Sequence, residues 1–194
     1  MTKILIVYAT SYGNTKAMAE STAAGARSVN GTQVDIKDAE SATNEDVLAC
    51  DAMIVGSPVH MGSPDWRVKK FIDTICSKLW MKDALNGRVA GVFVSGGGFG
   101  NAGGGCELTM LALLNNFAEL GMIMIPFPKN TPGYRMGGLQ WGPYGRSMDV
   151  DMKTSTLHPD ALEATFHHGA NIARATQVLN KNSIFMKSEA LSKK

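Results

Sequence analysis

Two hydrophobic periods take turns along this chain. Short apolar or alternating runs stand ahead of longer stretches in which apolar residues recur every three or four positions. "KILIVYA" (3–9) reads as a buried strand. The stretch 14–29 follows as a helix with Met18, Ala19, Thr22, Ala23 and Ala26 on one face. "TQVDIKD" (32–38) alternates as a strand at a sheet edge would, and 44–50 reads as a short helix capped by Asn44. "DAMIVGS" (51–57) is a third strand. Val68, Phe71, Ile72, Ile75 and Leu79 then mark an amphipathic helix. "RVAGVFVS" (88–95) and "GMIMIPF" (121–127) are the fourth and fifth strands. They flank a helix at 106–120 that is apolar over much of its circumference. The last helix spans 158–179, with Leu162, Phe166, Ala170 and Ala173 inward.

Strands alternating with helices imply an α/β fold, a parallel sheet covered on both faces by right-handed crossovers. One domain over residues 1–180 accounts for all of these elements, and a polar, basic tail occupies 181–194. In such sheets ligands sit beyond the carboxyl ends of the strands, where the winding reverses. Attention therefore falls on four segments that follow strands.

The first is "TSYGNT" (10–15), rich in hydroxyls and without lysine or arginine. The following helix exposes unpaired N–H groups and a partial positive charge at its start, which attract a phosphate without any side-chain cation. An ordinary cap cluster, with Ser11 or Asn14 capping the helix, explains the same residues. The loop matches neither G-x-x-x-x-G-K-[ST] nor G-x-G-x-x-G. The second segment, "GSPVHMGSP" (56–64), is held on a tight path by its prolines and glycines. It presents Val59, His60 and Met61 either to a flat aromatic ligand or as a plain turn before a helix capped by Ser63 with Pro64 first. The third, "SGGGFGNAGGGCE" (95–107), holds seven glycines. Glycine costs backbone entropy and brings no packing, so a loop that wraps closely around a ligand explains them better than a flexible surface loop. The fourth, "NTPGYRMGGLQWGPYGRSM" (130–148), is long for a connection within one domain. Tyr134, Trp141 and Tyr144 in it serve as stacking surfaces, as anchors for the loop, or as contacts to another subunit.

Composition narrows the class. A formal net charge of +2 makes no electrostatic case for nucleic acid and none for a strongly acidic carrier surface. No apolar run approaches a membrane span, and the N-terminal run lacks the pattern of a signal peptide, so the expected setting is cytoplasmic. Cys50, Cys76 and Cys106 form no C-x-x-C, so no metal site is expected and buried thiols are. Cys106, beside the glycine loop, is the one to check for reactivity.

Taken together, "KILIVYATSYGNTKAMAE" resembles the phosphate loop of flavodoxin-like FMN proteins. "GSPVHMG", "LWMKDALNGRVAGVFVS", "GGGCE", "LGMIMIP" and "GPYG" resemble, in order, motifs of the WrbA-type NAD(P)H:quinone oxidoreductases. The resemblance runs from about residue 3 into the last helix. It implies a flavodoxin-like five-stranded sheet of order 2-1-3-4-5 and one FMN per site. By the same resemblance Thr10, Ser11, Tyr12, Gly13, Asn14 and Thr15 hold the FMN phosphate. Pro58, Val59, His60, Met61 and Gly62 flank one part of the isoalloxazine, and Ser95, Gly96, Gly97 and Gly98 another. Trp80 matches a tryptophan that reaches a neighbouring subunit's active site, and Tyr144 falls in the matching P-Y-G turn. Glu119 and Leu120 stand where the family has consecutive histidines, the first of them at the flavin, so Glu119 joins Trp80 and Tyr144 as an active-site candidate. The family's arginine in the second loop is His60 here. The glycine loop is longer than usual, and the insertion between the second and third strands is missing. The implied activity is a ping-pong transfer of two electrons from NAD(P)H to a quinone, in a homodimer or homotetramer. A flavodoxin-type single-electron carrier without its own substrate turnover is the competing expectation. A receiver domain would need a carboxylate cluster at the strand ends, and the first strand is followed by hydroxyls instead.

Overall fold

This computed structural model describes residues 1–100, 102–180 and 184–185; the expected basic tail otherwise lies outside the described residues. Strands β1 (Thr2–Tyr8), β2 (Thr32–Asp38), β3 (Ala52–His60) and β5 (Val89–Gly96) pair in parallel in the order β2-β1-β3-β5. Between β3 and β5 lie β4 (Ser63–Pro64), α3 (Trp66–Phe71), a π-helical turn (Ile72–Cys76) and α4 (Ser77–Trp80). Ile4, Ile6, Ile54 and Phe93 pack against one core, with Met18, Ala19, Ala23, Ile172 and Ala173 from α1 (Asn14–Arg27) and α7 (Pro159–Leu179). Leu5, Val7, Met53, Val55, Val92 and Val94 pack against the other. That second core takes Val47 from α2 (Asn44–Ala49), Val68 and Phe71 from α3, and Leu113 and Phe117 from α5 (Cys106–Glu119). β1, β3 and β5 are therefore apolar on both faces and read as continuous runs, whereas β2 at the edge alternates.

The fifth position of the sheet differs in detail from the expected single strand at 121–127. Only β6 (Ile123–Met124) pairs with the start of β5, through Val89 and Ala90. The end of β5 pairs instead with β8 (Gly142–Arg146), through Val94↔Tyr144, Ser95↔Gly145 and Gly96↔Arg146. Segment 130–148, expected as a connection, thus completes the sheet. It also carries α6 (Tyr134–Gly137) and β7 (Gly138–Leu139), which pairs antiparallel with β8. Its glycines and its lack of alternation concealed a strand that is held by backbone bonds rather than by an apolar face.

Three local details also depart from expectation. Thr43, not Asn44, caps α2: its Oγ accepts from Asp46 N at 3.2 Å while Asp46 accepts from Thr43 N at 3.0 Å, a reciprocal capping box. Ser63 and Pro64 form β4, so the next helix is capped by Asp65 instead. In α7, Leu162 and Phe166 are only half-buried, whereas Ala161, Ala164 and His168 are buried. The reason is the closeness of α1 and α7. A Cβ added at Gly25 would lie 1.8 Å from Phe166 O, and one at Gly169 would lie 2.0 Å from Thr22 O. Such a crossing leaves small residues, not large ones, in the seam.

Candidate flavin-nucleotide site

The loops after β1, β3 and β5 converge on a cleft of about 410 Å³ at the carboxyl end of the sheet. Thr10, Ser11, Tyr12, Asn14 and Thr15 form one wall, Pro58 to Gly62 a second, and Ser95, Gly96 and Gly97 a third. Gly13 is the N-terminal boundary of α1 at φ 85°, and no side chain caps the helix. Neither Ser11 nor Asn14 acts as the cap, so the first-turn N–H groups are left to an external acceptor. The Gly13 N–H is turned back onto Thr10 Oγ1 at 3.0 Å, which shapes the loop. Thr15 Oγ1 and Ser95 Oγ, both buried, share a 2.7 Å hydrogen bond that ties the first wall to the third.

The second wall is a hairpin. Val59 pairs with Pro64 and His60 with Ser63, leaving Met61 and Gly62 as a two-residue turn at φ 49° and 76°. Both positive angles suit the right-handed twist of the flanking strands. The turn holds the Met61 side chain fully exposed at the rim. Ser57 Oγ accepts from Asp65 N at 2.9 Å and so fixes the base of the hairpin.

Three glycines of the loop lie close against the protein's own backbone, while Gly96, Gly97 and Gly104 line the cleft. A Cβ at Gly105 would lie 2.5 Å from Gly62 Cα, one at Gly104 would lie 2.6 Å from Gly97 O, and one at Gly98 would lie 2.5 Å from Ala102 O. Arg146, which the sequence reading passed over, gathers this loop: Nη2 donates to Gly98 O at 2.8 Å and to Gly100 O, Nη1 to Ala102 O at 3.2 Å, and Nε to Met148 O at 2.9 Å. Gly98 is consequently turned toward Arg146 and does not line the cleft, while Gly104, Ser147, Met148 and Met152 do. Gly104 belongs to the glycine loop already singled out; Ser147, Met148 and Met152 arrive through the pairing of β8 with β5.

The active-site candidates separate. Tyr144 lies behind the glycine loop, lining a neighbouring hollow with Gly103, Gly105 and Cys106. Glu119 closes α5 and is exposed, about 20 Å along the helix from the end that meets the cleft. Trp80, 46% exposed, ends α4 and does not line the cleft. Within one chain neither reaches the cleft. Cys50, Cys76 and Cys106 are all buried. Burial pushes the Cys106 thiol up to about 12, so it stays protonated and unreactive at neutral pH. Among the described residues no cluster of three His, Cys, Asp or Glu is placed to hold a metal, and no helix is long and apolar enough to cross a membrane.

A doubly covered parallel sheet, with a hydroxyl-and-amide cradle at the start of the first helix and two loops closing over it, defines a flavodoxin-type flavoprotein. Residues 5–98 match the model of a flavodoxin domain. An NAD(P)H dehydrogenase (quinone) of Cupriavidus metallidurans is 31% identical over 92% of this chain and 99% of its own length. A flavodoxin of Aquifex aeolicus is 43% identical over 120 residues, 62% of this chain and 64% of that one. The crystal structure of a WrbA-like flavodoxin from Agrobacterium tumefaciens superposes with a TM-score of 0.70 at 25% identity, covering 92% of this chain and 99% of that one. The chain belongs to the WrbA-type NAD(P)H:quinone oxidoreductases within the flavodoxin-like FMN proteins. FMN is the cofactor of that family, and the residues present fit it. The uncapped α1 terminus suits its phosphate, and the apolar rim of Val59 and Met61 facing Gly96 and Gly97 suits a flat ring.

Proposed function

We propose that residues 1–180 form one FMN-binding domain of an oxidoreductase that moves two electrons from NAD(P)H to a quinone in a ping-pong cycle. Bound FMN supplies the redox chemistry, taking two electrons from NAD(P)H and returning them to the quinone. The chain's own residues bind and orient. The first-turn N–H groups of α1, with Thr10, Ser11 and Thr15, hold the phosphate. The Met61–Gly62 turn and the Gly96–Gly97 backbone leave a slot between them for flat molecules. The balanced reaction is NAD(P)H + H⁺ + quinone → NAD(P)⁺ + hydroquinone, and its proton comes from solvent. Among the residues lining the cleft, His60 is the sole titratable imidazole, and it is engaged by Asp65 at 3.3 Å. In this reading both substrates would enter that slot in turn, as a ping-pong order requires.

The observation that carries this reading is the bare N-terminus of α1 opening into a cleft beyond the strand ends. A homodimer or homotetramer in the cytoplasm completes the proposal. Leu111, Leu114, Met124, Pro126 and Trp141 line an apolar groove of about 580 Å³ along α5 that suits a second copy, and Trp80 would reach a neighbour's cleft. The 43% identity to a flavodoxin over 120 residues favours a second reading, a single-electron carrier. Steady-state oxidation of NADH and NADPH with FMN added, comparing benzoquinone, free flavin, an azo dye and oxygen, separates the two. Benzoquinone-dependent turnover with parallel double-reciprocal lines is expected. Tight FMN binding without turnover on any acceptor would leave the carrier.

A further inference from the structure

The phosphate cradle has no basic residue between Thr10 and Thr15, yet the fold delivers one from elsewhere. Arg67, in the first turn of α3, lies against the outside of the loop. Its Nη1 donates to Thr10 O at 3.2 Å and its Nη2 to Ser11 Oγ at 3.2 Å. The guanidinium is held there. Nε and Nη2 grip the two oxygens of Asp65 at 2.9 and 2.7 Å, and the Arg67 backbone N–H donates to the same carboxylate at 2.8 Å. Asp65 is fully buried, and His60 Nδ1 stands 3.3 Å from its Oδ2. Burial raises the Asp65 carboxyl, but the Arg67 bonds and charge outweigh it and leave the group below its ordinary value. A two-pronged pair of this kind fixes the direction of the arginine as well as its place.

The placement matters for an anion. The Thr10 carbonyl is a negative peptide end at the rim of the cradle, and Arg67 engages it. The Ser11 oxygen accepts from Arg67, which leaves the Ser11 hydrogen free to be donated inward. The pair as a whole presents its positive end to the loop and its negative end to the interior.

We propose that Arg67, anchored by Asp65, is a positioning residue for the cofactor's phosphate, acting through Ser11 and the Thr10 peptide. His60, standing where the family has arginine, meets Asp65 at Oδ2, the oxygen that Arg67 Nη2 also holds. This proposal rests on the flavin reading above. It is tested by titrating the full-length apoprotein with FMN and with riboflavin, which lacks the phosphate, following flavin fluorescence. Arg67→Gln is expected to weaken FMN about tenfold and to change riboflavin affinity less than twofold. In a Ser11→Ala background the same change is expected to lose part of its effect on FMN, since the Ser11 route is gone and the Thr10 peptide remains. Unchanged FMN affinity, equal weakening of both flavins, or additive behaviour with Ser11→Ala overturns the role of Arg67 and leaves the flavin reading standing. A wild-type protein that binds neither flavin overturns both.

Discussion

His168 offers the sharpest thermodynamic test of the fold. It sits on the buried face of α7 with no exposed surface, edge-on to Phe127 at a ring separation of 5.3 Å. Neither ring nitrogen has a hydrogen-bond partner among the described residues. Burial without a partner pushes its pKa down from 6.5 to about 4. The native state therefore keeps His168 neutral over a range in which the unfolded chain takes up a proton. Stability from this source is fully present above pH 6.5, declines as the pH falls, and is gone near pH 4. A depression of that size is worth about 3 kcal/mol in all, or about 1.4 kcal/mol per pH unit inside the window. His168→Leu removes the titration at similar volume. Because no hydrogen bond is lost, the stability of the variant at pH 7.5 reports packing together with relief of the buried, unpartnered nitrogens. Urea unfolding of both proteins, followed by tryptophan fluorescence between pH 7.5 and 4.5, gives the difference in unfolding free energy. Carboxylates common to both proteins cancel in it. Wild type is expected to lose about 2 to 3 kcal/mol relative to the variant as the pH falls from 6.5 to 4.5. Parallel curves across that range would show that the imidazole is solvated or paired in the native state, and would refute the argument.

Other expectations follow from single contacts. Gly169→Ala places a methyl where Thr22 O already lies, 2.0 Å from the new carbon, and should cost about 3 kcal/mol in the same unfolding assay; a cost below 1 kcal/mol would mean that the α1–α7 seam gives way easily. Thr15→Val keeps the shape but leaves Ser95 Oγ without its 2.7 Å partner, so a loss of about 2 kcal/mol is expected. Arg146→Ala removes the donor that gathers the carbonyls of the glycine loop, and should weaken FMN binding about tenfold while leaving thermal stability little changed. Ellman's reagent should label no cysteine in the native protein and all three in urea, since each thiol is buried and burial lifts all three to about 11 or 12.

Much of this molecule was readable from the order of its residues. Strand and helix periods, and the hydroxyl-rich "TSYGNT" after the first strand, were enough for a parallel sheet with a polar loop at its carboxyl edge, because both depend on neighbours a few residues apart. What needed three dimensions was whatever links distant segments. Nothing in the local sequence ties Arg67 to residues 10–15 until the hairpin at Met61–Gly62 brings Asp65 and α3 back against that loop. Segment 130–148 reads as a loop until its backbone completes β5. Gly98 and Gly105 read as wrapping a ligand until Ala102 and Gly62 are seen to press against them. Trp80 and Glu119, promising by likeness, stand at the far ends of their helices. Periodicity records which face of an element is buried; it carries no record of which remote backbone or charge that face will meet.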